Sequence, residues 1–166
     1  SILNHYTYTK RKAEEICKKN NSIILRTNFF GKSHNKKDSF SDWVYKKFKS
    51  GNNFHLFDDV FFSPIRIVFL CKMIYKIILT GRQYSGIYNL GSQKGLSKKN
   101  FAIIFAKSLN IYNSNYTTVK SSKIFKIKRP NNMIMNCKKF EKKFQISLPT
   151  LKEQILDEVK INYIIK

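Results

Sequence analysis

The spacing of apolar and polar positions predicts a chain of alternating helices and strands. Apolar or small residues recur at helical spacing in four segments, which indicates amphipathic helices. Three short segments read as strands, and the first is a nearly continuous apolar run typical of a buried parallel strand. We predict helices at about 4–19, 38–50, 65–79 and 97–109, and strands at 22–28, 54–57 and 86–90. The segment 112–128 shows little pattern.

Capping residues and apolar stripes indicate where helices begin and which faces are buried. Asp38 or Ser39 can cap the second helix, and Ser97 can cap the fourth. Cys17 lies one turn after Ala13 on a face that we expect to be buried, so we interpret it as a reduced core thiol. The apolar stripe of the fourth helix is predicted to be core; it consists of Phe101, Ile104, Phe105 and Leu109.

Composition then narrows the class of protein. A chain of 166 residues with 42% apolar residues is the length of a single domain and can bury a core. No internal repeat or linker divides it. The longest apolar stretch, 65–79, is interrupted by basic residues, and the start of the sequence lacks a signal-peptide profile. We therefore expect a soluble cytoplasmic protein with no membrane partner.

The net charge of +22 raises nucleic acid as a partner, because clustered cations release counterions on contact with phosphates. Most of the basic residues are lysines, and lysine, asparagine, isoleucine, phenylalanine and tyrosine are abundant together, a skew that an AT-rich genome produces. The densest basic stretch, 120–129, lacks the motif context of a recognition element. Basic nucleic-acid binding stays as a remote alternative, and we expect no specific nucleic-acid partner.

Cysteine, histidine and acidic residues indicate no metal site. The three cysteines and three histidines are isolated and show no ligand spacing. Asp58 and Asp59 are adjacent, and no third acidic group lies nearby in the sequence, so we interpret them as a turn.

A Tyr-x-x-x-Lys pair is the main candidate for chemistry, although four such pairs occur. They are Tyr6/Lys10, Tyr8/Lys12, Tyr45/Lys49 and Tyr116/Lys120. Residues four apart lie on one helix face, so a lysine ammonium can sit beside the phenol and stabilise its ionised form, which lets a tyrosine exchange protons near neutral pH. Taken alone, Tyr6 and Tyr8 are better explained as surface residues of a basic amphipathic helix.

An ordered series of motifs distinguishes Tyr6/Lys10 from the other pairs. The series is Tyr6-Thr-Tyr-Thr-Lys10-Arg-Lys-Ala-Glu14, Ile24-Leu-Arg-Thr-Asn-Phe-Phe-Gly31, Phe62-Ser-Pro64, Gly86-Ile-Tyr-Asn-Leu-Gly91 and Arg129-Pro130. In this order it resembles the carboxyl-terminal half of an extended short-chain dehydrogenase/reductase, in particular the dTDP-4-dehydrorhamnose reductase group. The resemblance implies an α/β fold: the carboxyl-terminal part of an NAD(P)-binding Rossmann-type enzyme with its substrate-binding subdomain. Residues 1–31 would end the cofactor domain, and 32–166 would mainly form that subdomain.

The resemblance also implies roles for individual residues. Tyr6 and Lys10 would be catalytic and would contact the cofactor, NADP or NAD. Thr27 and Asn28 would lie beside the nicotinamide. Substrate contacts are expected from Asn28, Phe29, Phe30, Pro64 and Arg129, with Arg66 as a weaker candidate for the diphosphate. Phe29 and Phe30 could instead be aromatic packing at a strand-to-loop junction, and either arginine could instead form a surface ion pair.

The implied function is reduction of a 4-keto nucleotide sugar in deoxysugar synthesis for surface polysaccharide. Nothing in the chain matches the glycine-rich phosphate loop of the family, and the catalytic Ser/Thr upstream of the tyrosine is absent as well. We therefore expect the chain to be inactive alone and to need an amino-terminal Rossmann segment from a longer or separate chain. An epimerase or dehydratase of the same family and a non-catalytic nucleotide-sugar-binding or regulatory relative remain alternatives, and an oligomer is compatible with the sequence.

Overall fold

The computed structural model describes residues 5–34, 37–125 and 130–164. The helices in these ranges are α1 (His5–Lys19), α2 (Phe40–Ser50), α3 (Ile67–Leu79), α4 (Lys98–Ser108), α5 (Ser121–Ile124), α6 (Lys138–Phe144) and α7 (Leu151–Asn162). The strands are β1 (Ile23–Thr27), β2 (Phe29–Phe30), β3 (Phe54–Phe57), β4 (Phe61–Phe62), β5 (Ile65–Arg66), β6 (Gly86–Leu90), β7 (Leu96–Ser97), β8 (Tyr116–Val119) and β9 (Asn132–Met133). The α/β class is confirmed.

Most strand pairs are parallel, as expected when strands are joined through helices. β1 pairs with β6 along its whole length, from Ile23 opposite Gly86 to Thr27 opposite Leu90. β2 pairs with β5, and β3 with β8, also in parallel. β4 lies between β9, which is parallel to it, and β7, which is antiparallel. The strands predicted at 22–28, 54–57 and 86–90 are therefore confirmed to within a residue.

Two hydrophobic clusters hold these elements together. The larger one gathers α2, α4 and α7 around Phe101, whose ring lies 5.0 Å from Phe30 and 5.5 Å from Phe62. The second cluster packs α3 and α6 against β6 through Leu70, Met73, Ile77, Phe140, Tyr88 and Leu90. The predicted stripe of α4 is core: Phe101 and Phe105 are fully buried, and Ile104 and Leu109 pack beside them.

Local capping explains where several helices begin. Ser39 forms a capping box with Asp42 at α2, Ser97 accepts a hydrogen bond from the backbone of Asn100 at α4, and Thr150 forms a capping box with Glu153 at α7. Gly51 ends α2 with a φ of 69°, in the left-handed region that glycine adopts without strain. The caps predicted at Ser39 and Ser97 are confirmed.

Three expectations were wrong or incomplete. Ile65 and Arg66 begin a strand rather than α3, because they pair with β2. The segment 112–128, which shows little pattern, contains β8. This strand pairs with β3, about 60 residues earlier, and local periodicity carries no information on such a distant partner. Cys17 is exposed, because no residue of α1 is buried and its outer face has no packing partner in the described part of the chain.

Asp58 and Asp59 lie in bends after β3, as predicted for a turn. They also tie β3 to the segment after β8: Asp58 pairs with Lys120 at 2.9 Å, and Asp59 accepts the backbone N–H of Ser121 at 3.0 Å. Among the described helices, none has both the length and the apolar content to span a membrane.

Candidate functional site

The carboxyl end of β1 is where the predicted site begins. Thr27 is the last residue of β1, and Asn28 follows it with its backbone carbonyl accepting the N–H of Ile65 at 2.9 Å. The next two side chains alternate: Phe29 is 60% exposed, and Phe30 is 2% exposed in the core. Phe29 is therefore free to contact a ligand, while Phe30 is held by packing. The Oδ1 atom of Asn28 is buried and has no hydrogen-bond partner.

Tyr6 and Lys10 lie on the exposed surface of α1. Tyr6 is 69% exposed, and the Lys10 Nζ lies 5.5 Å from the centre of its ring. Tyr45/Lys49 is the tighter phenol–ammonium pair, with Lys49 Nζ donating to the Tyr45 hydroxyl at 3.1 Å. That pair lies on α2, where the Tyr45 ring packs 5.6 Å from that of Tyr163. Contact geometry within the pairs thus does not distinguish Tyr6 from Tyr45; what differs is the position of the helix that carries each pair relative to β1.

That position follows from one ion pair between α1 and β1. Arg26, the penultimate residue of β1, donates from Nε and Nη2 to the two carboxylate oxygens of Glu14, both at 2.6 Å. The chain turns at 20–22 between the two elements, so α1 runs back along β1. Lys10 is one helical turn, about 6 Å, from Glu14. From this spacing we infer that Lys10 lies near the level where β1 ends and that Tyr6 lies about one turn beyond it. Lys10, Glu14 and Arg26 line a common cavity of about 570 Å³.

Pro64 is buried where the loop after β4 contacts the loop after β6. Its carbonyl accepts the Ser92 hydroxyl at 2.6 Å, and the Ser63 carbonyl accepts the Ser92 N–H at 3.0 Å. Ser63 also accepts the backbone N–H of Met135 through its hydroxyl at 3.0 Å. The loops that follow β4 and β6 are therefore fixed together, and Pro64 itself is buried.

Arg66 is buried rather than on the surface. It is 5% exposed, and its Nε and Nη1 atoms have no hydrogen-bond partner. Its backbone N–H donates to Gln154 of α7 at 2.9 Å. Glu158, also on α7 and fully buried, has one unpartnered carboxylate oxygen. The surface ion pair considered as the alternative for Arg66 is absent from the described contacts. Arg129 lies outside the described residues.

The segment after β2 is held by two carboxylates. Glu158 Oε1 accepts the N–H of Lys32, and Asp42 Oδ2 accepts the N–H of Ser33, each at 2.8 Å. Burial alone would raise the pKa of Asp42, but hydrogen bonds from Tyr163, Ser39 and Ser33 outweigh it and hold that pKa below its ordinary value. An ionised Asp42 thus anchors the chain just beyond Phe29 and Phe30.

An aromatic cavity of about 530 Å³ was not predicted from the sequence. Its lining combines rings with basic and polar groups, and includes Phe40, Trp43, Lys47, Asn53, Phe54, Phe57 and Lys98. Phe40 stacks on Trp43 at 5.9 Å, and its ring lies 5.7 Å from Phe62, two residues before Pro64. The helical spacing of Phe40, Trp43 and Lys47, with β3 next in sequence, was a usable signal for most of this lining, but Lys98 comes from the start of α4. The described residues contain no group of three or more His, Cys, Asp or Glu side chains that could hold a metal ion.

Solved structures of sugar-nucleotide enzymes share this fold. A dTDP-4-dehydrorhamnose reductase from Bacillus anthracis, in complex with NADP, has a TM-score of 0.83 at 21% identity, covering 96% of this chain and 56% of that one. A dTDP-4-dehydrorhamnose reductase from Clostridium acetobutylicum has a TM-score of 0.82 at 18% identity, covering 96% of this chain and 56% of that one. A dTDP-glucose 4,6-dehydratase from Bacillus anthracis, in complex with NAD, has a TM-score of 0.74 at 15% identity, covering 95% of this chain and 51% of that one.

The chain thus spans little more than half the length of these proteins. No curated protein sequence matches it. The family model described as the RmlD substrate binding domain matches residues 2–163, nearly the whole chain. The chain therefore belongs to the RmlD substrate-binding domain family.

Proposed function

We propose that this chain supplies the substrate-binding part and the Tyr-x-x-x-Lys pair of an NAD(P)-dependent reductase that acts on a 4-keto nucleotide sugar. The observation that carries the proposal is the ion pair between Glu14 and Arg26, which links the helix of Tyr6 and Lys10 to the carboxyl-terminal part of β1; ligands bind beyond that end of the strands in open parallel sheets. The reaction resembles that of dTDP-4-dehydrorhamnose reductase and would serve deoxysugar synthesis for surface polysaccharide. Residues 1–31 would complete the cofactor domain, and 32–166 would mainly bind the sugar nucleotide.

The described residues fit one end of a nicotinamide dinucleotide. The buried, unpartnered Oδ1 of Asn28 is an acceptor suited to the N–H of a carboxamide, and Thr27 lies next to it. Lys10 is exposed and suits the ribose hydroxyls. No glycine-rich turn for the pyrophosphate occurs in the sequence, so the rest of that site would come from another segment. When bound, the dinucleotide would supply hydride to the sugar ketone carbon.

Tyr6 would act on the ketone oxygen. Its phenol would donate a proton as negative charge develops there, and the Lys10 ammonium would favour the phenolate that remains, because an adjacent positive charge stabilises the ionised form. Both side chains are accessible, as a group that exchanges protons with a substrate must be.

The aromatic cavity is suited to a nucleotide. Its rings provide an apolar stacking surface for a base, and Lys47 and Lys98 at its wall complement a diphosphate. Phe29, Phe30 and Pro64 would shape the sugar end, Phe29 by contact and the two buried residues by holding the loops. Arg129 would add a bidentate contact to the diphosphate. Arg66, being buried, is less suited to that role.

We propose further that an amino-terminal Rossmann segment, from a longer or separate chain, pairs along the edge of β1 opposite β6. In the part of the chain that the structure describes, β6 is the strand that pairs with β1. A parallel strand added there would extend the sheet, and its following turn could bring the phosphate loop toward Asn28.

Two other functions remain as alternatives to the reductase. An epimerase or dehydratase of the same fold would use the same tyrosine. A non-catalytic relative would bind the nucleotide sugar without oxidising a cofactor.

The test is Tyr6→Phe in the complete enzyme that contains this chain, with Tyr8→Phe as the matched control. Loss of the general acid should lower kcat about 10²- to 10⁴-fold, while Tyr8→Phe should leave it unchanged. Binding of the nucleotide sugar, measured by calorimetry, should persist in both variants. Unchanged turnover in Tyr6→Phe would contradict the assignment of Tyr6 as the general acid. Sugar-nucleotide binding by the wild-type protein without any cofactor oxidation would support the binding subunit instead.

A further inference from the structure

The ion pair between Glu14 and Arg26 links α1 to the sheet. Both nitrogen–oxygen distances are 2.6 Å, and the partners are 12 positions apart on two different elements. Two further ion pairs of α1, Arg11–Glu15 and Lys12–Glu15, stay within the helix. The forked contact fixes orientation as well as distance, because both ends are planar and two bonds must be satisfied together.

Apolar packing does not fix the position of α1 along β1. None of its described residues is buried, and Ile16 is largely exposed. A helix seated by interdigitating side chains cannot slide without opening cavities, whereas α1 lacks such a constraint in the described structure. The short connection at 20–22 limits where the helix can lie, and the two-bonded Glu14–Arg26 ion pair then sets its register on the strand.

That register determines where the proposed catalytic pair lies. Lys10 and Tyr6 follow Glu14 toward the amino end of α1 at about 6 and 12 Å along the helix axis. We infer that Glu14 and Arg26 are positioning residues, which hold Lys10 and Tyr6 at the level where β1 ends and Asn28 begins. The inference rests on the proposed function, because it assumes that Tyr6 is the acid.

The electrostatics are consistent with this role. The hydrogen bond from Arg26 is the main cause of a lowered pKa of Glu14, and the hydrogen bond from Glu14 likewise raises the pKa of Arg26. The Glu14 carboxylate is shielded, with 19% of its side chain exposed, whereas Arg26 reaches solvent. Both groups therefore stay charged throughout the neutral range in which the reaction would run.

The experiment compares Arg26→Gln with Arg26→Lys, with the charge exchange Glu14→Arg/Arg26→Glu, and with Arg11→Gln. Arg11 is the matched control, because its ion pair with Glu15 does not leave the helix. In the complete enzyme, Arg26→Gln should lower kcat about 10- to 100-fold, as displacement of a reacting group by about 1 Å does, with KM for the nucleotide sugar nearly unchanged. Arg26→Lys and the charge exchange should each restore part of the loss, and Arg11→Gln should have no effect.

Two further measurements separate positioning from mere stability and from failure of the proposed function. Val44→Ala opens a cavity in the distant core and lowers Tm; it should leave kcat unchanged while the protein is folded.

Amide hydrogen exchange in α1, which needs no turnover, should speed up in Arg26→Gln and not in Arg11→Gln. Unchanged exchange in Arg26→Gln would overturn the inference. Faster exchange with normal kcat would also overturn it, provided Tyr6→Phe is inactive. If Tyr6→Phe is fully active, the proposed function fails, and the positioning role fails with it.

Discussion

The hydroxyl of Tyr163 donates a hydrogen bond to Oδ1 of Asp42 at 2.6 Å, and so joins the end of α7 to the first turn of α2. The other oxygen of the same carboxylate receives the backbone N–H groups of Ser33 and Ser39. One buried carboxylate thus connects the carboxyl-terminal helix, a helix start and the segment that follows Phe30.

Tyr163→Phe should destabilise the protein by about 2 kcal/mol, because it removes a buried hydrogen bond to a charged acceptor. The aromatic packing of the ring against Phe105, at 4.9 Å, would remain. Urea denaturation measures the effect, and Tyr75→Phe, at an exposed position of α3, is the control that should change little. A midpoint shift equal to that of the control would mean that the hydrogen bond contributes nothing.

Acid should weaken the same network. The pKa of Asp42 is lower in the folded protein than its ordinary value of 3.8. Its contribution is therefore fully present above the pKa of the unfolded chain and is lost as pH falls through the folded pKa. Denaturation midpoints between pH 7 and 3 should fall less steeply in Asp42→Asn than in the wild type. The comparison is needed because Glu14 and Glu153 also have lowered pKa values and add to the acid dependence of both proteins. Parallel curves would contradict the assignment to Asp42.

Gly91→Ala should destabilise the loop that follows β6. A Cβ atom there would lie 2.5 Å from the backbone carbonyl of Ser63 and 2.5 Å from the Met135 side chain. Where space is open and the backbone is ordinary, Gly→Ala stabilises by about 0.4–1 kcal/mol; here overpacking should cost about 1–3 kcal/mol instead. Adding Met135→Ala should not rescue stability, because the carbonyl cannot move aside. A stabilised Gly91→Ala variant would show that the loops are not in close contact.

The three thiols should react at two very different rates. Cys17 and Cys71 are exposed, whereas Cys137 is buried, and that burial raises the pKa of its thiol. A chromogenic disulfide reagent at pH 8 should therefore label two thiols of the native chain rapidly and the third only after unfolding. Cys137→Ser should remove the slow phase alone. Rapid labelling of all three thiols in the native state would contradict the packing of Cys137 between β6 and α6.

Local signals in the sequence were sufficient for most elements. Ser39 and Ser97 are capping residues with a helical apolar pattern behind them, and the chemistry of a cap depends only on its near neighbours. The burial of Phe101 and Phe105 also follows from helical spacing. The motif series likewise led to the RmlD family, since its order along the chain does not depend on knowing the fold.

Long-range pairing could not be read in the same way. The strand at Tyr116 has a weak pattern and exists because β3 accepts it as a partner. Arg66 has a charged side chain on a short strand, and its burial depends on α7, nearly 90 positions later. Cys17 has the spacing of a core residue but lacks a packing partner. The aromatic cavity adds Lys98, at the start of α4, to neighbouring residues of α2 and β3, and Lys98 is 58 positions from Phe40 along the chain.

The distance in sequence between Asp42 and Tyr163 has a consequence for how the protein is made. The two residues are 121 positions apart, and a ribosome adds about 5–20 residues per second. For on the order of 6–24 s after Asp42 is synthesised, its carboxylate therefore has no phenol to bind, and the segment beyond Phe30 can be only partly anchored. A chain truncated anywhere before Tyr163 would therefore lack this hydrogen bond to Asp42, and the segment beyond Phe30 would lose part of its support.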